Sequence, residues 1–395
     1  MPGNQAIKEY SFRTTVGVPP YSRAEQTFRK GIKQTAFHNI IGAKGAVLKV
    51  HNTFLKPFYV EDLIREYHVM RQVAGLFDVT GEEIIEVTGP GALDFMNEMM
   101  PRDLRKIADG QCLYGIMCYD YGGLVEDAVV VRFDAQKFWW IGGLGFSEQW
   151  IWSNAIGRDV TVRSLLDQKA LASLQGPKSR EILQSVCDGD ITSLPFYHMT
   201  RTKVCGVDCV VTRTGYTAEL GFEVIVDVAQ GEEVCGGLHD ANSRAGGTLA
   251  GSGALDLRRV EAGLIDFSTD FDWHHTPWQV GLGWMLNMNK GYFHGREALA
   301  AAAARNPAEK LAGLRLSGNE APHKGDVILI DGVRVGEVTS GIVSPTLEVP
   351  LAITMLKSTA TTIGQKVEVI SQGAPVPAEV VAMPFLDPER KLSKT

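Results

Sequence analysis

The sequence predicts an α+β protein whose last part is a separate β-domain. Three features predict this fold class: apolar residues at helical spacing near the start, β-rich runs joined by short turns in the middle, and many short strands with no strong helix beyond about residue 305. Because 395 residues exceed what one hydrophobic core usually serves, we expect two or three domains.

The helical spacing is clearest at Leu63, Tyr67, Met70 and Ala74, which share one face of a helix. Gly75 follows this face and is expected to close the helix, since glycine readily adopts the left-handed conformation found at helix ends. The elements predicted next are a strand at 83–88, a turn at 89–91 and a helix at 92–100.

A hairpin is predicted at 124–141. The run 124–133 is rich in residues that favour strands, and 137–141 follows it after a short polar turn. Glu126 and Asp127 interrupt the first strand. Because side chains alternate along a strand, we expect only one of these two carboxylates to face a pocket.

The rest of the chain mixes helices and strands before the β-domain. The predicted helices span 146–156, 168–174, 178–187, 230–245 and 252–264, and the predicted strands at 207–213 and 221–227 are joined by the turn 214–217. Asn306 and Pro307 mark the expected start of the β-domain. The first thirty and the last ten residues are expected to be loosely held.

Composition and charge narrow the function classes. The net charge is −7 and no stripe of Lys and Arg could neutralise a row of phosphates, so a nucleic-acid partner is not expected. No apolar run is long enough to span a bilayer, and residues 1–30 lack a basic segment followed by an apolar one, so we expect a cytoplasmic protein without a membrane partner. The six cysteines show no metal-ligand spacing and are expected to be reduced, buried thiols.

Nine short blocks resemble those of one family. They are Ala74-Gly-Leu-Phe-Asp-Val79, Glu86-Val-Thr-Gly-Pro90, Leu174-Gln-Gly-Pro-Lys178, Arg213-Thr-Gly-Tyr-Thr217, Gly221-Phe-Glu223, Arg259-Val-Glu-Ala-Gly-Leu264, Gly281-Leu-Gly-Trp284, Gly295-Arg-Glu-Ala-Leu299 and Gly336-Glu-Val-Thr-Ser-Gly341. In this order they resemble the aminomethyltransferase (T-protein) superfamily, from about residue 35 to residue 386.

The resemblance implies a T-protein-like, three-domain body. Two related α+β domains would surround a central folate pocket and be followed by a C-terminal β-barrel. The implied bounds are an N-terminal extension at 1–34, a first α+β domain at 35–165 that is discontinuous with 250–305, a second α+β domain at 166–249, and the barrel at 306–395.

The resemblance also implies residues that hold tetrahydrofolate. The family's carboxylate near the folate nitrogens corresponds to Asp127, where it can polarise the folate amine or hold a proton. The family's pterin-binding glutamate corresponds to Glu223, whose carboxylate matches the paired donors of an aminopyrimidine edge. The pocket arginine corresponds to Arg259, which can pair with an anionic group or with Asp127.

Three aromatic residues complete the expected site. Tyr216, in the 214–217 turn, is expected to line the pterin or the substrate and to take part in catalysis, although simple packing would also explain a tyrosine in a turn. Tyr114 and Trp284 are expected as further contacts of the cofactor. No metal ligand is expected.

Three segments depart from the T-protein pattern. Thr80-Gly81-Glu82 stands where T-proteins carry Ser-His-Met, Gly143 stands where they carry an asparagine, and residues 277–281 replace Pro-Leu-Glu-Ala-Gly. Aromatic residues are added in and around the expected pocket, namely Tyr119, Tyr121, Trp139, Trp140, Trp273 and Trp278. These changes would be odd in an enzyme that serves an aminomethyl-lipoyl arm.

The departures favour the folate-dependent demethylases of the superfamily, which take methyl groups from sulfonium compounds or methoxylated aromatic acids. The predicted reaction transfers a methyl group from a small methylated donor, a sulfonium, ammonium or methoxyaryl compound, to folate N5 and yields 5-methyltetrahydrofolate. An aromatic pocket suits either a cation or a stacked aryl ring. The residues predicted to line it are Tyr119, Tyr121, Trp273, His274 and Trp278.

Two alternatives remain at this point. One is the glycine-cleavage aminomethyltransferase, which forms 5,10-methylenetetrahydrofolate and requires a lipoyl carrier protein as partner. The other is a non-catalytic folate-binding assembly protein, although the Lys-Gly-Cys-Tyr motif of those relatives has Tyr292 in place of cysteine. Homo-oligomer formation is left open by the sequence.

Overall fold

The computed structural model of the protein describes residues 31–42, 44–143 and 146–395. The first thirty residues, expected to be loosely held, lie outside the described residues. The α-helices of the described part are α1 (His38–Gly42), α2 (Leu63–Gln72), α3 (Ala92–Met99), α4 (Ser147–Asn154), α5 (Ser179–Gln184), α6 (Gly231–Arg244), α7 (Ser252–Glu261) and α8 (Arg296–Ala303). None of the helices described is long and apolar enough to cross a membrane.

The described strands follow in chain order. They are β1 (Lys33–Gln34), β2 (Val47–His51), β3 (Phe54–Tyr59), β4 (Gly75–Asp78), β5 (Glu83–Thr88), β6 (Cys112–Cys118), β7 (Leu124–Asp134), β8 (Lys137–Gly142), β9 (Thr161–Ser164), β10 (Lys169–Gln175), β11 (Met199–Val204), β12 (Val207–Thr212), β13 (Gly221–Asp227), β14 (Thr248–Ala250), β15 (Glu309–Leu316), β16 (Val327–Ile330), β17 (Val333–Val343), β18 (Pro350–Lys357), β19 (Lys366–Ser371) and β20 (Ala374–Val381).

The chain divides into two compact units. The first contains the described residues up to Glu82, together with Leu165–Arg258 and Arg390–Thr395. Its main sheet has six strands in the order β11-β12-β13-β10-β4-β14, and a second sheet has the order β1-β3-β2. Helices α2 and α6 pack on the main sheet, so its central strand β10 is buried along nearly its whole length.

The second unit contains Glu83–Ser164 and Arg259–Glu389. Its five-stranded sheet has the order β6-β7-β8-β5-β9 and packs against α3 around a core that includes Phe95, Phe138 and Trp140. Strands β15 to β20 form a closed barrel in the order β15-β18-β17-β16-β19-β20. The α+β class and the C-terminal β-barrel expected from the sequence are therefore confirmed.

The predicted hairpins are confirmed with shifts of at most one residue at the strand ends. Strands β7 and β8 pair in antiparallel fashion, and so do β12 and β13 around the 214–217 turn. The predicted helices at 146–156, 178–187, 230–245 and 252–264 correspond to α4, α5, α6 and α7.

Two predictions of local structure are wrong. Residues 168–174 form strand β10 and not a helix, because this apolar segment pairs with β4 and β13 on its two edges and tertiary pairing outweighs the helix propensity of its alanines and leucines. Gly75 does not close α2, which already ends at Gln72. Gly75 begins β4, where an added Cβ would lie 2.9 Å from the Phe77 ring.

The chain end is more ordered than the sequence predicts. Residues Leu392–Lys394 form a 3-10 turn. The carbonyl of Thr395 accepts hydrogen bonds from Arg180 at 2.6 Å and from Arg213 at 2.7 Å.

Candidate active site

Asp127 and Tyr114 form a hydrogen-bonded pair on neighbouring strands. Asp127 lies on β7 opposite Ile116 of β6, and Tyr114 stands two residues before Ile116 on the same strand. The Tyr114 hydroxyl donates to Oδ2 of Asp127 at 2.6 Å. Asp127 is half-buried, so its carboxylate is shielded from water without being sealed from a ligand.

The surroundings of Asp127 make it a carboxyl that titrates near neutrality. Its pKa is raised to about 6: burial raises it most, the hydrogen bond from Tyr114 lowers it, and the negative charges of Asp266 and Asp270 also raise it. A group with a pKa in this range can exchange a proton at physiological pH.

Glu126 faces the opposite side of the sheet. It is buried, and the Ser147 hydroxyl donates to its Oε2. A Cβ added at Gly143, where the family pattern has asparagine, would lie 3.4 Å from Oε1 of Glu126, so this carboxylate borders the space that the asparagine would need. Glu83 is close by, and burial, followed by the charge of Glu148, raises its pKa to about 8.

Arg259 is held in a buried ion pair. Its Nη1 lies 2.9 Å from Oδ2 of Asp270, and its Nη2 donates to the Ser340 hydroxyl at 3.0 Å. The hydroxyls of Thr339 and Ser340 both donate to Oδ1 of Asp270 at 2.6 Å. Strand β17 has a bulge between Val338 and Ser340, which lets two successive side chains reach one carboxylate.

Glu223 sits on β13 of the other unit, with two threonine hydroxyls on one of its oxygens. Thr212, its cross-strand partner on β12, donates to Oε2 at 3.4 Å, and Thr214 donates to the same oxygen. Among the described residues, no donor lies within hydrogen-bonding distance of Oε1. Burial raises the pKa of Glu223, whereas the hydrogen bonds from Thr214 and Thr212 lower it.

The turn that carries Tyr216 is fixed by one buried amide. Gln175 accepts from the Thr217 hydroxyl at 2.7 Å and donates to the Thr214 carbonyl at 3.2 Å. A Cβ at Gly215 would lie 2.2 Å from the Gln175 side chain, so only glycine fits there. The separate sequence blocks at 174–178 and 213–217 therefore form one local structure, in which Tyr216 is half-buried.

Trp284 is connected to the Asp127 pair through an arginine. The Arg102 guanidinium lies over the Trp284 ring at 5.3 Å, and its Nη1 donates to the Tyr114 carbonyl at 2.8 Å. The structure thus brings together Trp284, Tyr114 and Asp127, three residues that the sequence predicted for the site.

Four of the predicted substrate residues form a second contiguous group. Tyr119 and Tyr121 stack at 5.4 Å, the Tyr121 hydroxyl donates to the Trp273 carbonyl at 2.9 Å, and the Trp273 ring contacts that of His274 at 5.5 Å. The Trp273 ring also packs edge-on against Phe146 at 5.3 Å. Trp273 is 39% exposed, so this aromatic group reaches the surface.

The other added tryptophans pack in or against the interior. Trp278 donates its indole N–H to the Leu299 carbonyl at 3.3 Å, covers Gly283 and packs, half-buried, against a core cluster. Trp139 and Trp140 are buried in β8.

None of the six cysteines forms a disulfide. Burial raises the pKa of Cys118 and that of Cys235 above the ordinary thiol range. Within residues 31–42, 44–143 and 146–395, no group of three or more His, Cys, Asp or Glu side chains is placed to hold a metal ion.

Three residues that position the predicted side chains were not predicted from the sequence: Arg102 and Asp270 in the unit of Asp127, and Gln175 in the unit of Glu223. Gln175 lies within a block that resembles the family, but only the structure shows that its amide fixes the 214–217 turn. Asp270 follows Arg259 by eleven residues, and an acid at that distance carries no periodic signal. Arg102 follows α3 and reads as an ordinary surface charge.

Comparison with known proteins gives the same family along nearly the whole described chain. Residues 37–290 match the model of the GCVT N-terminal domain, and residues 309–387 match that of the glycine cleavage T-protein C-terminal barrel domain. The chain belongs to the glycine-cleavage T-protein family. Proteins of this family use tetrahydrofolate, and the chain is accordingly a tetrahydrofolate-dependent one-carbon transferase.

Curated relatives of this T-protein family member cover almost all of their own length in the match. The aminomethyltransferase of Thermotoga neapolitana is 34% identical over 90% of this chain and 98% of its own. That of Symbiobacterium thermophilum is also 34% identical, with the same coverage. The solved structure of aminomethyltransferase T from Bartonella henselae shares the fold, with a TM-score of 0.84 at 24% identity over 90% of this chain and 99% of that one.

Proposed function

We propose that this protein transfers a one-carbon unit to N5 of tetrahydrofolate, with Asp127 as the group that exchanges a proton at the reacting amine. The observation that carries the proposal is the Tyr114–Asp127 pair, a half-buried carboxyl whose pKa is about 6 and whose Oδ2 is held at 2.6 Å by a phenol. Tetrahydrofolate, when bound, supplies the nucleophilic nitrogen.

The surroundings of Glu223 fit the aminopyrimidine edge of a reduced pterin. Glu223 presents Oε1 without a protein hydrogen bond in the described part of the chain, while Thr212 and Thr214 hold Oε2 in place. A carboxylate fixed in this way can accept the two parallel N–H donors of an aminopyrimidine. Tyr114 orients Asp127, so the proton acceptor does not need to rotate when the ligand is in place.

An aminomethyl group is the donor that the relatives support. The curated proteins that match over 90% of the chain bear the name aminomethyltransferase. In this version of the proposal, a lipoyl carrier protein presents the aminomethyl group; its carbon–sulfur bond breaks to leave the dihydrolipoyl thiol, its carbon–nitrogen bond breaks to release ammonia, and 5,10-methylenetetrahydrofolate is the product. Asp127, Glu223 and Arg259, the residues that the resemblance places around the folate, are all kept in this chain.

A methyl group from a small molecule is the second candidate, and a specific observation favours it. A contiguous aromatic group that reaches the surface is formed by Tyr119, Tyr121, Trp273 and Phe146. In addition, Gly143 replaces the family's asparagine, and the carboxylate of Glu126 borders the space that an asparagine side chain would need. Aromatic faces bind cations and aryl rings well, whereas an aminomethyl-lipoyl arm carries no aryl ring that could stack on them.

One experiment separates the two donors. Purified protein is incubated without oxygen with tetrahydrofolate and one of two kinds of donor: aminomethyl-lipoyl carrier protein, or a panel of sulfonium, ammonium and methoxyaryl compounds. The folate products are identified by mass spectrometry. Methylenetetrahydrofolate formed only with the carrier establishes the first candidate. Methyltetrahydrofolate formed with one small donor establishes the second and identifies the substrate. Absence of any folate product with all donors would contradict the proposal.

A further inference from the structure

Arg213 stands between the two threonines that hold the Glu223 carboxylate. Thr212 and Thr214 both donate to Oε2 of Glu223, so the backbone around Arg213 sets where the two hydroxyls lie. That backbone is itself fixed, because the N–H and the carbonyl of Arg213 form hydrogen bonds of 2.8 and 3.1 Å with the segment 197–198. A displacement of Arg213 would therefore move both hydroxyls.

The guanidinium of Arg213 is held inside the protein by backbone carbonyls. The residue is 7% exposed. Its Nη1 donates to the Leu194 carbonyl at 3.0 Å, and its Nη2 donates to the Thr395 carbonyl at 2.7 Å. Burial, followed by the charge of Arg180, lowers the pKa of Arg213. A buried cation is costly unless its donors are paired, so both carbonyl contacts matter to the position of this side chain.

Arg180, on α5, converges on the same oxygen. Its Nη2 donates to the Thr395 carbonyl at 2.6 Å. Within the described residues, no ion pair joins Arg180 or Arg213 to an acidic side chain, and the Nε atoms of both are buried without a hydrogen-bond partner. Two neighbouring cations therefore share one carbonyl oxygen, and the docking of Thr395 supplies an acceptor to both at once.

Thr395 belongs to the segment 391–395, which we call the strap. The middle of the strap is a 3-10 turn. The Thr395 hydroxyl donates to the Leu392 carbonyl at 2.8 Å, and Ser393 is buried. The strap lies in the same compact unit as Glu223. Its internal hydrogen bonds fix the direction in which the Thr395 carbonyl points.

We propose that Arg213 is a positioning residue for the Glu223 carboxylate and that the strap locks it in place. With the strap docked, Arg213 keeps Thr212 and Thr214 aligned on Oε2, and Oε1 is left for the ligand. When the strap leaves, two guanidinium groups lose their shared acceptor, and the peptide around Arg213 shifts to find another. The inference rests on the proposed role of Glu223 and adds the contact that regulates its affinity for folate.

Docking of the strap and binding of the folate must then favour each other. Two events that stabilise one arrangement raise each other's equilibrium constants by the same factor. Trypsin reports the docking, because cleavage after Lys391 requires the strap to unfold locally and its rate follows the population of the open form.

The test is a double-mutant cycle of Arg180→Gln and Glu223→Gln in the full-length protein, with the affinity for tetrahydrofolate measured without oxygen by titration calorimetry. Arg180 is suited to this cycle because it contacts the strap from α5 and is remote in sequence from the 212–214 peptide. Arg244→Gln, which removes an exposed charge at the end of α6 in the same unit, is the matched control. Tryptic cleavage after Lys391 is timed on the same proteins with and without tetrahydrofolate.

A second variant addresses Arg213 directly. Arg213→Lys keeps the charge, but an ammonium on a single stem lacks the planar fork that reaches the Leu194 and Thr395 carbonyls together. It should raise the KM for tetrahydrofolate and leave kcat nearly unchanged, a separation that a general loss of stability would not produce.

We expect Arg180→Gln and Arg213→Lys each to weaken tetrahydrofolate binding by about fivefold or more, and Arg244→Gln to leave it unchanged. In the Glu223→Gln background, Arg180→Gln should cause no further loss, because the carboxylate that it helps to position is gone. Tetrahydrofolate should slow cleavage after Lys391 in the wild type by a similar factor and have no effect on it in Glu223→Gln.

Two results would overturn the strap alone. One is unchanged binding in Arg180→Gln and Arg213→Lys beside weakened binding in Glu223→Gln, and the other is a pair of additive losses in the cycle. A Glu223→Gln variant that binds tetrahydrofolate as tightly as the wild type would instead contradict the proposed pterin site, and the positioning role of Arg213 would fall with it.

Discussion

The Asp270 carboxylate lies 2.9 Å from Nη1 of Arg259, and both side chains are buried. The positive charge of Arg259 is therefore neutralised inside the protein. The resemblance implies that Arg259 can pair with an anionic group or with Asp127, and either partner would have to share Arg259 with Asp270. Asp270 also raises the pKa of Asp127, after burial and alongside Asp266. The proton affinity of the proposed acid-base group is thus set partly by a residue of the Arg259 pair.

The activity of the wild-type protein should fall as the pH drops through about 6. Asp127 has a raised pKa, so its carboxyl is protonated below that value and ionised above it, and only the ionised form can accept a proton. The pH dependence of kcat/KM for folate product formation checks this prediction. Because the pKa is about 6, a profile that is flat about one unit to either side of that value would contradict the role of Asp127.

Asp270→Asn should move that acid limb to lower pH, because it removes a negative charge that raises the pKa of Asp127. It should also destabilise the protein by about 3–5 kcal/mol, since Arg259 is left buried without its partner. The control is Thr339→Val, which removes the hydroxyl that donates a hydrogen bond to Asp270 but keeps the charges of Asp270 and Arg259. A lower melting temperature with an unshifted pH profile would reduce Asp270 to a purely structural role.

Glu223→Gln should raise the KM for tetrahydrofolate about 10- to 100-fold with a small effect on kcat. The reason is that hydrogen bonds to a charged group contribute about 1.5–3 kcal/mol, and the amide can accept only one of the two pterin donors. Asp227→Asn, at the exposed end of the same strand, is the matched control and should leave KM unchanged. Equal KM values in wild type and Glu223→Gln would remove Glu223 from the pterin site.

Gly215→Ala should destabilise the protein by about 1–3 kcal/mol, because the new Cβ would lie 2.2 Å from the buried Gln175 side chain. Gly236→Ala provides the contrast: this glycine lies inside α6 with open space around it, so alanine should stabilise the helix by about 0.5–1 kcal/mol. Chemical unfolding curves of the two variants give both values. A neutral Gly215→Ala would mean that the 214–217 turn is not held by Gln175.

The sequence predicts the fold class and the hairpins well, because their signals are local. The alternation around Glu126 and Asp127 is enough to place them on opposite faces of β7, and the structure confirms it. Strand β10 was mistaken for a helix because its identity depends on pairing with β4 and β13, which are distant in sequence.

The site itself is only partly readable from the sequence, for the same reason. Trp284 is predicted from a block that resembles the family and Tyr114 from the segment 110–114, and the structure connects them through Arg102. No local pattern predicts Arg102 or Asp270, because each becomes part of the site only through a contact with a residue far along the chain. Trp278, an aromatic residue predicted for the substrate pocket, is half-buried and packs over Gly283 against a core cluster, and its contact with substrate stays a prediction.

The most direct test of the account compares single-turnover formation of the folate product by wild type, Asp127→Asn and Glu126→Gln with the donor that supports turnover. We expect Asp127→Asn to slow the transfer by about 10²- to 10⁴-fold, the usual contribution of one acid-base group, and Glu126→Gln to keep most of the activity because its side chain faces the other side of the sheet. If Glu126→Gln abolishes the transfer and Asp127→Asn does not, the reacting carboxyl lies on the opposite face of β7 and the proposed site is wrong.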